Sequence, residues 1–318
     1  MGKYVFGIDV GGTSVKFGLF EVDGSNGNLI EKWSIPTRTE DSGSHILPDI
    51  ADSIKNKISE KSYGLDEIIG AGIGLPGPVD DKGIIRKAVN LYWKEDFNVE
   101  ERLSGLLDGM KVKATNDANA AALGEAWAGS AKNAMNVLMI TLGTGVGGGI
   151  VINGKVYAGT TGAAGEVGHI MIERDFEEKC NCGNAGCLEQ FASATGMVRV
   201  GRRMLSETAD PSPLRERRDR LTAKDIWDAA KDGDSMGLKI AGEIGRYLGE
   251  GLAIIATVLN PEVIVIGGGV SAAGKIVLES VEKHFKKHIF HASAGTKIVL
   301  ASLGNDGGIY GTAKLLID

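Results

Sequence analysis

The sequence holds 3 cysteines, and all of them crowd into one short window as Cys180, Cys182 and Cys187. An odd number so tightly spaced is a poor disulfide framework and a good soft-metal site. Three thiolates and the imidazole of His169 make a closed tetrahedral zinc shell, with Gly183 and Gly186 permitting sharp turns between ligands. A closed shell implies a structural ion rather than a metal-bound water nucleophile. Three unrelated cysteines are the competing reading, and their clustering argues against it. Glu166 precedes His169 by three residues and Glu189 closely follows Cys187. The ion would therefore lock a loop that presents Glu166, His169 and Glu189 to a polyhydroxylated ligand.

A second kind of chemistry is written in glycine turns. Asp9-Val10-Gly11-Gly12-Thr13, with Lys16 beyond it, can bring backbone amides and a hydroxyl close to phosphate oxygens. Asp9 can hold a magnesium ion or its waters. An ordinary hairpin turn explains the same residues when they are taken alone. Leu142-Gly-Thr144-Gly145-Val-Gly-Gly-Gly149 is denser still. So many glycines in a strand context cost conformational entropy, and close approach of a ligand to the backbone accounts for them. It is neither a Walker loop nor a dinucleotide fingerprint, because a strand follows it; two glycine turns clamping a polyphosphate fit better. Gly267-Gly268-Gly269 follows an apolar run and leaves room for a base or ribose, or is simply a tight strand-helix connection. Asn116-Asp117 stands before an alanine-rich helical run. A helix cap explains the pair as well as a functional role does. In the functional reading Asp117 takes the proton from an attacking hydroxyl while Asn116 positions the acceptor.

The elements that must position these groups follow from periodicity. Residues 4–10 read as a strand carrying Asp9, with return strands over 14–20 and 29–35. Leu47, Ile50, Ile54 and Ile58 recur at helical spacing, and residues 68–75 form another apolar strand. The pattern then restarts: a strand over 137–142, a Gly/Thr turn, and a return strand over 148–152. This repetition predicts a duplicated α/β architecture with a cleft between the halves. Thr222 and Asp225 form a capping box. Met236, Ile240, Ile244 and Leu248 mark a long helix, residues 263–266 a strand buried on both faces, and Ser271 the start of a further helix.

Composition removes other classes of function. At 318 residues and 43% hydrophobic the chain can bury a large core, and length suggests about two domains. The charge balance, 35 basic against 41 acidic residues, gives no hint of nucleic acid or membrane as partner. The Arg-rich stretch from Arg199 to Arg220 is broken by acidic residues and reads as a solvated helical face. No apolar run approaches the roughly 20 residues that span a bilayer, and the first residues enter a strand at once, so a cytoplasmic location is expected. His284 and His288 lie among lysines and read as a basic face; His45 and His291 carry no readable role.

Taken in order, several motifs resemble the ROK family, and within it the bacterial glucokinases. They are Asp9-x-Gly-Gly-Thr13, Gly74-Leu-Pro-Gly-Pro78, Asn90-Leu-x-Trp93, Asn116-Asp117-x-Asn119, Leu142-Gly-Thr-Gly-x-Gly-Gly-Gly149, Gly165-Glu166-x-Gly-His169 and the Cys-x-Cys-Gly-x-x-Gly-Cys-x-Glu cluster. The match covers nearly the whole chain. The resemblance implies an actin/hexokinase-like (ribonuclease H-like) fold with duplicated βββαβα-type units, two α/β domains closing on a sugar, and a homodimer. The small domain would comprise residues 1–115 plus 304–318, and the large one, with the zinc-binding loop, residues 116–303. Asp117 would be the general base acting on the 6-hydroxyl of glucose. Asn90, Asn116, Asp117, Glu166, His169 and Glu189 would bind the sugar. Asp9, Gly11, Gly12, Thr13, Lys16, Thr144 and Gly145 would serve Mg-ATP, with Gly268 near the adenosine, and His169, Cys180, Cys182 and Cys187 would hold Zn²⁺.

Alternatives within the resemblance are an N-acetylglucosamine or N-acetylmannosamine kinase, a fructokinase, and a sugar-responsive repressor. Asp9 lies too close to Met1 for the repressor's N-terminal helix-turn-helix, and Asp117 is retained. An actin- or chaperone-like ATPase would have no use for the Glu166, His169 and Glu189 set. Loosening the metal loop is expected to damage sugar binding more than nucleotide binding.

Overall fold

The computed structural model describes residues 3–317. The chain forms two compact units, the first from residues up to 135 with 149–165 and the residues from 303 onward, the second from 136–148 and 166–302.

In the first unit, β1 (Tyr4–Val10), β2 (Ser14–Asp23), β3 (Asn26–Pro36), β4 (Ile68–Leu75) and β5 (Val112–Asn116) form one sheet in the order β3-β2-β1-β4-β5. The first three strands are antiparallel, while β4 runs parallel to β1 and β5 parallel to β4. The return strands extend further than the hydrophobic pattern indicated, because backbone pairing continues past the last apolar residue to Asp23 and Asn26. Phe6, Ile8, Phe17 and Leu19 face a helix, Ile46–Lys61, whose Ile46, Leu47, Ile50, Ile54 and Ile58 are buried. On the opposite face lies the C-terminal helix, Gly307–Lys314, packed with Val5 and Phe20. Its approach is backbone to backbone. A Cβ at Gly7 would overlap the Ile309 carbonyl, and one at Gly72 the Thr312 carbonyl. The Thr312 hydroxyl accepts from Ile8 N at 3.0 Å.

A second sheet builds on β6 (Val137–Leu142), after which the chain turns into β7 (Val146–Ile152), whose end from residue 149 onward belongs to the first unit. With β8 (Lys155–Val156), β9 (Val263–Gly267) and β10 (Lys297–Leu300) these form a sheet of order β8-β7-β6-β9-β10. β9 is parallel to both β6 and β10 and wholly buried. The strand order of the first sheet is thus repeated, as the restarted pattern predicted. The long helix Ser235–Leu259 buries Met236, Ile240, Ile244 and Leu248, and the Thr222–Asp225 capping box closes in both directions.

Packing divides the chain differently from the expected boundary after residue 115. The helix Asp117–Ala128 belongs to the first unit because Gly124 and Gly311 let it lie directly on the C-terminal helix. Two further expectations are corrected. After β9 a 3-10 turn, Gly269–Ala273, ends on left-handed Gly274, so the helix starts at Lys275 rather than near Ser271. The Arg-rich stretch is not one helical face. It splits into the helix Ala194–Glu207 and the 3-10 segment Pro213–Arg220. Arg202 and Arg215 are spent on backbone carbonyls there, including Arg218 O and Leu205 O. Among the described residues no helix is long and apolar enough to cross a membrane.

Candidate active site

In the first unit, the β1–β2 bend carries Gly11, Gly12 and Thr13. Gly11 N–H donates to Ser14 O at 3.0 Å, and Thr37 ties the bend down by donating from Oγ1 to Gly11 O and from its amide to Thr13 O. Gly12 and Thr13 stay exposed, so the bend offers its backbone to a ligand. Asp9 lies just inside it, with Lys16 Nζ 3.6 Å from its carboxylate. Burial pushes the Asp9 pKa up, and Lys16 opposes the shift. A Cβ at Gly308 would sit 2.7 Å from Asp9 Cγ, so glycine there keeps the carboxylate in place.

Asp117 opens the helix Asp117–Ala128. Its neighbour Asn116 is indeed the cap: Oδ1 accepts from Ala118 N at 2.9 Å and Asn119 N at 3.3 Å, while Nδ2 donates to Gly77 O at 3.1 Å. The Asn116 side chain also hydrogen-bonds the Asp117 carboxylate. Capping and function are therefore compatible, since the cap directs Asp117 out of the helix end. The Asp117 carboxylate reaches solvent, yet enough protein surrounds it that burial pushes its pKa up to about 6. The Ala118 amide, 2.8 Å away, opposes this shift and the charge of Asp9 reinforces it. Asn90 sits exposed on a short turn anchored by buried Leu91 and Trp93, with its backbone beside Gly12.

Sequence reasoning assigned no role to Asn119, although it stands in the Asn-Asp-x-Asn motif. Fully buried, it accepts from Ile150 N at 3.0 Å and so pins the first turn of the Asp117 helix to β7.

In the second unit, the β6–β7 bend closes with Gly143 N donating to Gly145 O at 3.0 Å and leaves Thr144 exposed. Beside it opens a pocket of about 450 Å³ bounded by Thr144, Thr222, Trp227, Gly269 and Val270. Gly268, at φ 80°, supports its floor against the Leu142 backbone, where any side chain would collide. The wall made by the helix Ala223–Lys231 was not foreseen, since only packing brings Trp227 to this turn.

His169, Cys180, Cys182 and Cys187 converge so that their ligand atoms all lie within 4.8 Å of one another. Cys182 Sγ is 3.6 Å from Cys187 Sγ, and Cys180 Sγ is 3.7 Å from His169 Nδ1. Metal–sulfur bonds of about 2.3 Å at tetrahedral angles put sulfurs roughly 3.8 Å apart, so the donor set fits one zinc ion. All three cysteines are free thiols, too far apart to be bonded to one another. With Nδ1 turned to the cysteines, His169 Nε2 faces Glu166 at 3.9 Å and is available as a donor. Glu189 Oε2 accepts from Val146 N at 3.0 Å, directly after the β6–β7 bend.

The sequence profile of the ROK family matches residues 5–318. The chain belongs to the ROK family. It is 42% identical to a glucokinase from Halalkalibacterium halodurans over 99% of this chain and 95% of that protein. Among solved structures, a ROK hexokinase from Thermus thermophilus superposes with a TM-score of 0.80 at 30% identity, covering 98% of this chain and 97% of that one. A ROK family glucokinase from Streptomyces griseus, solved in complex with glucose and AMPPNP, gives a TM-score of 0.72 at 30% identity, with 98% of both chains covered. The ROK fold seen here is actin/hexokinase-like, with its repeated five-stranded sheets.

Proposed function

We infer that this chain is an ATP-dependent hexokinase that phosphorylates the 6-hydroxyl of glucose. One observation carries the chemistry: a solvent-facing carboxylate, Asp117, at a capped helix end beside Asp9, with its pKa raised to about 6. Such a group is ionised at neutral pH and basic enough to take a proton. The sugar oxygen attacks the γ-phosphorus, the bond to the β–γ bridging oxygen breaks, ADP leaves, and Asp117 holds the hydroxyl proton. Asn90, Asn116, Glu166, His169 and Glu189 would bind and orient the sugar. The bends at Gly11–Thr13 and Thr144–Gly145 would receive the phosphates, assisted by Lys16, with Gly268 beside the adenosine. Magnesium held at Asp9, directly or through water, would neutralise charge on the phosphates. Zinc at His169, Cys180, Cys182 and Cys187 would serve as a staple.

A coupled assay over a panel of hexoses and phosphoryl donors tests this reading. Glucose with ATP should give the highest kcat/KM; faster turnover of N-acetylglucosamine, N-acetylmannosamine or fructose would overturn it. Closure of two domains on the sugar and a cytoplasmic homodimer belong to the same proposal. Light scattering should return about twice the 33.4 kDa chain mass.

Gly308→Ala offers a further check. The new methyl would push on the Asp9 carboxylate, so KM for Mg-ATP should rise about 10-fold, the equivalent of one displaced charged contact, with little change in KM for glucose. Equal values for parent and variant would remove Asp9 from nucleotide binding.

A further inference from the structure

The metal loop was expected to serve the sugar above all, but its chain continues straight onto the phosphate bend. Two residues after Cys187, Glu189 begins a short helix, Glu189–Ala192, that is followed by Ser193, Ala194 and Thr195. This segment meets the β6–β7 bend through Glu189, Ala194 and Thr195. Ala194 N donates to Gly143 O at 2.8 Å, and Thr195 Oγ1 donates to Thr144 O at 3.1 Å. Glu189 Oε2 accepts from Val146 N at 3.0 Å and presses so closely on Gly145 that a Cβ there would collide with it. At the other end, Glu189 Oε1 lies 4.0 Å from Cys180 Sγ. Gln190 is buried and locks the loop, accepting from Cys187 N at 3.0 Å and donating to Glu178 O at 2.9 Å. Ser193 Oγ sits 3.0 Å from Thr195 Oγ1 and accepts from Gly196 N at 3.0 Å, fixing the rotamer of the hydroxyl that holds Thr144.

We propose that the Cys3His cluster, through Glu189 and the 193–195 segment, sets the shape of the Gly143–Val146 bend, so that the cluster governs nucleotide binding as well as sugar binding. The bend is glycine-rich and makes a single backbone hydrogen bond of its own, Gly143 N to Gly145 O. Backbone of this composition has many alternatives to lose, and the contacts from 189–195 select one of them before a ligand arrives. Thr195 is a positioning residue in this scheme: it touches the carbonyl of Thr144 and leaves the phosphate to the bend itself. The proposal rests on the reading of that bend as a phosphate site.

Calorimetric titration of the folded protein with AMPPNP, and separately with glucose, tests it without turnover. The parent must first bind AMPPNP; if it does not, the kinase reading itself fails and the variants are not the cause. Thr195→Val keeps shape and removes the hydroxyl. It should weaken AMPPNP about 3–10-fold, the worth of one ordinary hydrogen bond, with glucose affinity and metal content unchanged. Cys182→Ser, with metal content measured by mass spectrometry, should lose the ion and weaken AMPPNP at least 10-fold. In the double variant the loss should be smaller than the product of the two, since both act through one bend. A folded, metal-free Cys182→Ser protein that binds AMPPNP like the parent overturns the proposal. If that variant does not fold, unchanged AMPPNP affinity in Thr195→Val overturns it instead.

Discussion

Asp117→Ala is expected to lower kcat by roughly 10²–10⁴-fold, the range a general base contributes, while melting temperature holds. The carboxylate's hydrogen bonds, from Ala118 N and the Asn116 side chain, are local, and the helix keeps its cap in Asn116. Asp117→Asn keeps that acceptor and should be just as inactive. The pH profile of the parent supplies the sign. Burial and Asp9 raise the Asp117 pKa to about 6, so the group is protonated below that value and ionised above it. kcat should therefore fall tenfold per pH unit below about 6 and be flat above it, and this limb should vanish from the residual activity of Asp117→Asn. Near-parental turnover in either variant would take Asp117 out of the mechanism.

Gly311→Ala should cost about 3 kcal/mol or more of stability, at the upper end of overpacking changes. Ordinarily a glycine within a helix gains from replacement by alanine. Here the added Cβ would fall on the carbonyl oxygen of Ala120, a backbone atom that cannot rotate away. The two helices would have to separate, and the one displaced carries Asp117. Melting temperature should drop by about 6 °C or more, taking roughly 2 °C per kcal/mol for a chain of this size, and kcat should fall with it. A variant as stable as its parent would mean that the two helices have room for the added methyl.

Much of this was legible in residue order. Asp9-x-Gly-Gly-Thr13 and Leu142-Gly-Thr-Gly145 announced bends because glycine at that density after an apolar strand has few other uses. Cys180, Cys182 and Cys187 announced a cluster of metal-ligand type, and with His169 they do converge. What stayed hidden depended on packing between distant segments. Trp227 reaches the pocket beside Thr144 only because its helix is folded against the turn after β9. The side chain of Asn119 was visible in a motif, but its partner, the amide of Ile150, is a backbone group that no pattern displays. The contacts of the Cys3His loop were hidden for the same cause. Glu189 reads from the sequence as a ligand for hydroxyls; its bond from Val146 N and the grip of Thr195 on Thr144 appear only in three dimensions.

The repeated strand order puts matching positions of the two sheets in register with one another. Asp9 on β1 pairs with Gly74 on β4, and Thr141 on β6 pairs with Gly267 on β9. The two positions are therefore counterparts, one anionic and one neutral. With the same topology on both sides, the difference in charge at this position is set by residue type and not by backbone path: an acid on the first sheet, an alcohol on the second.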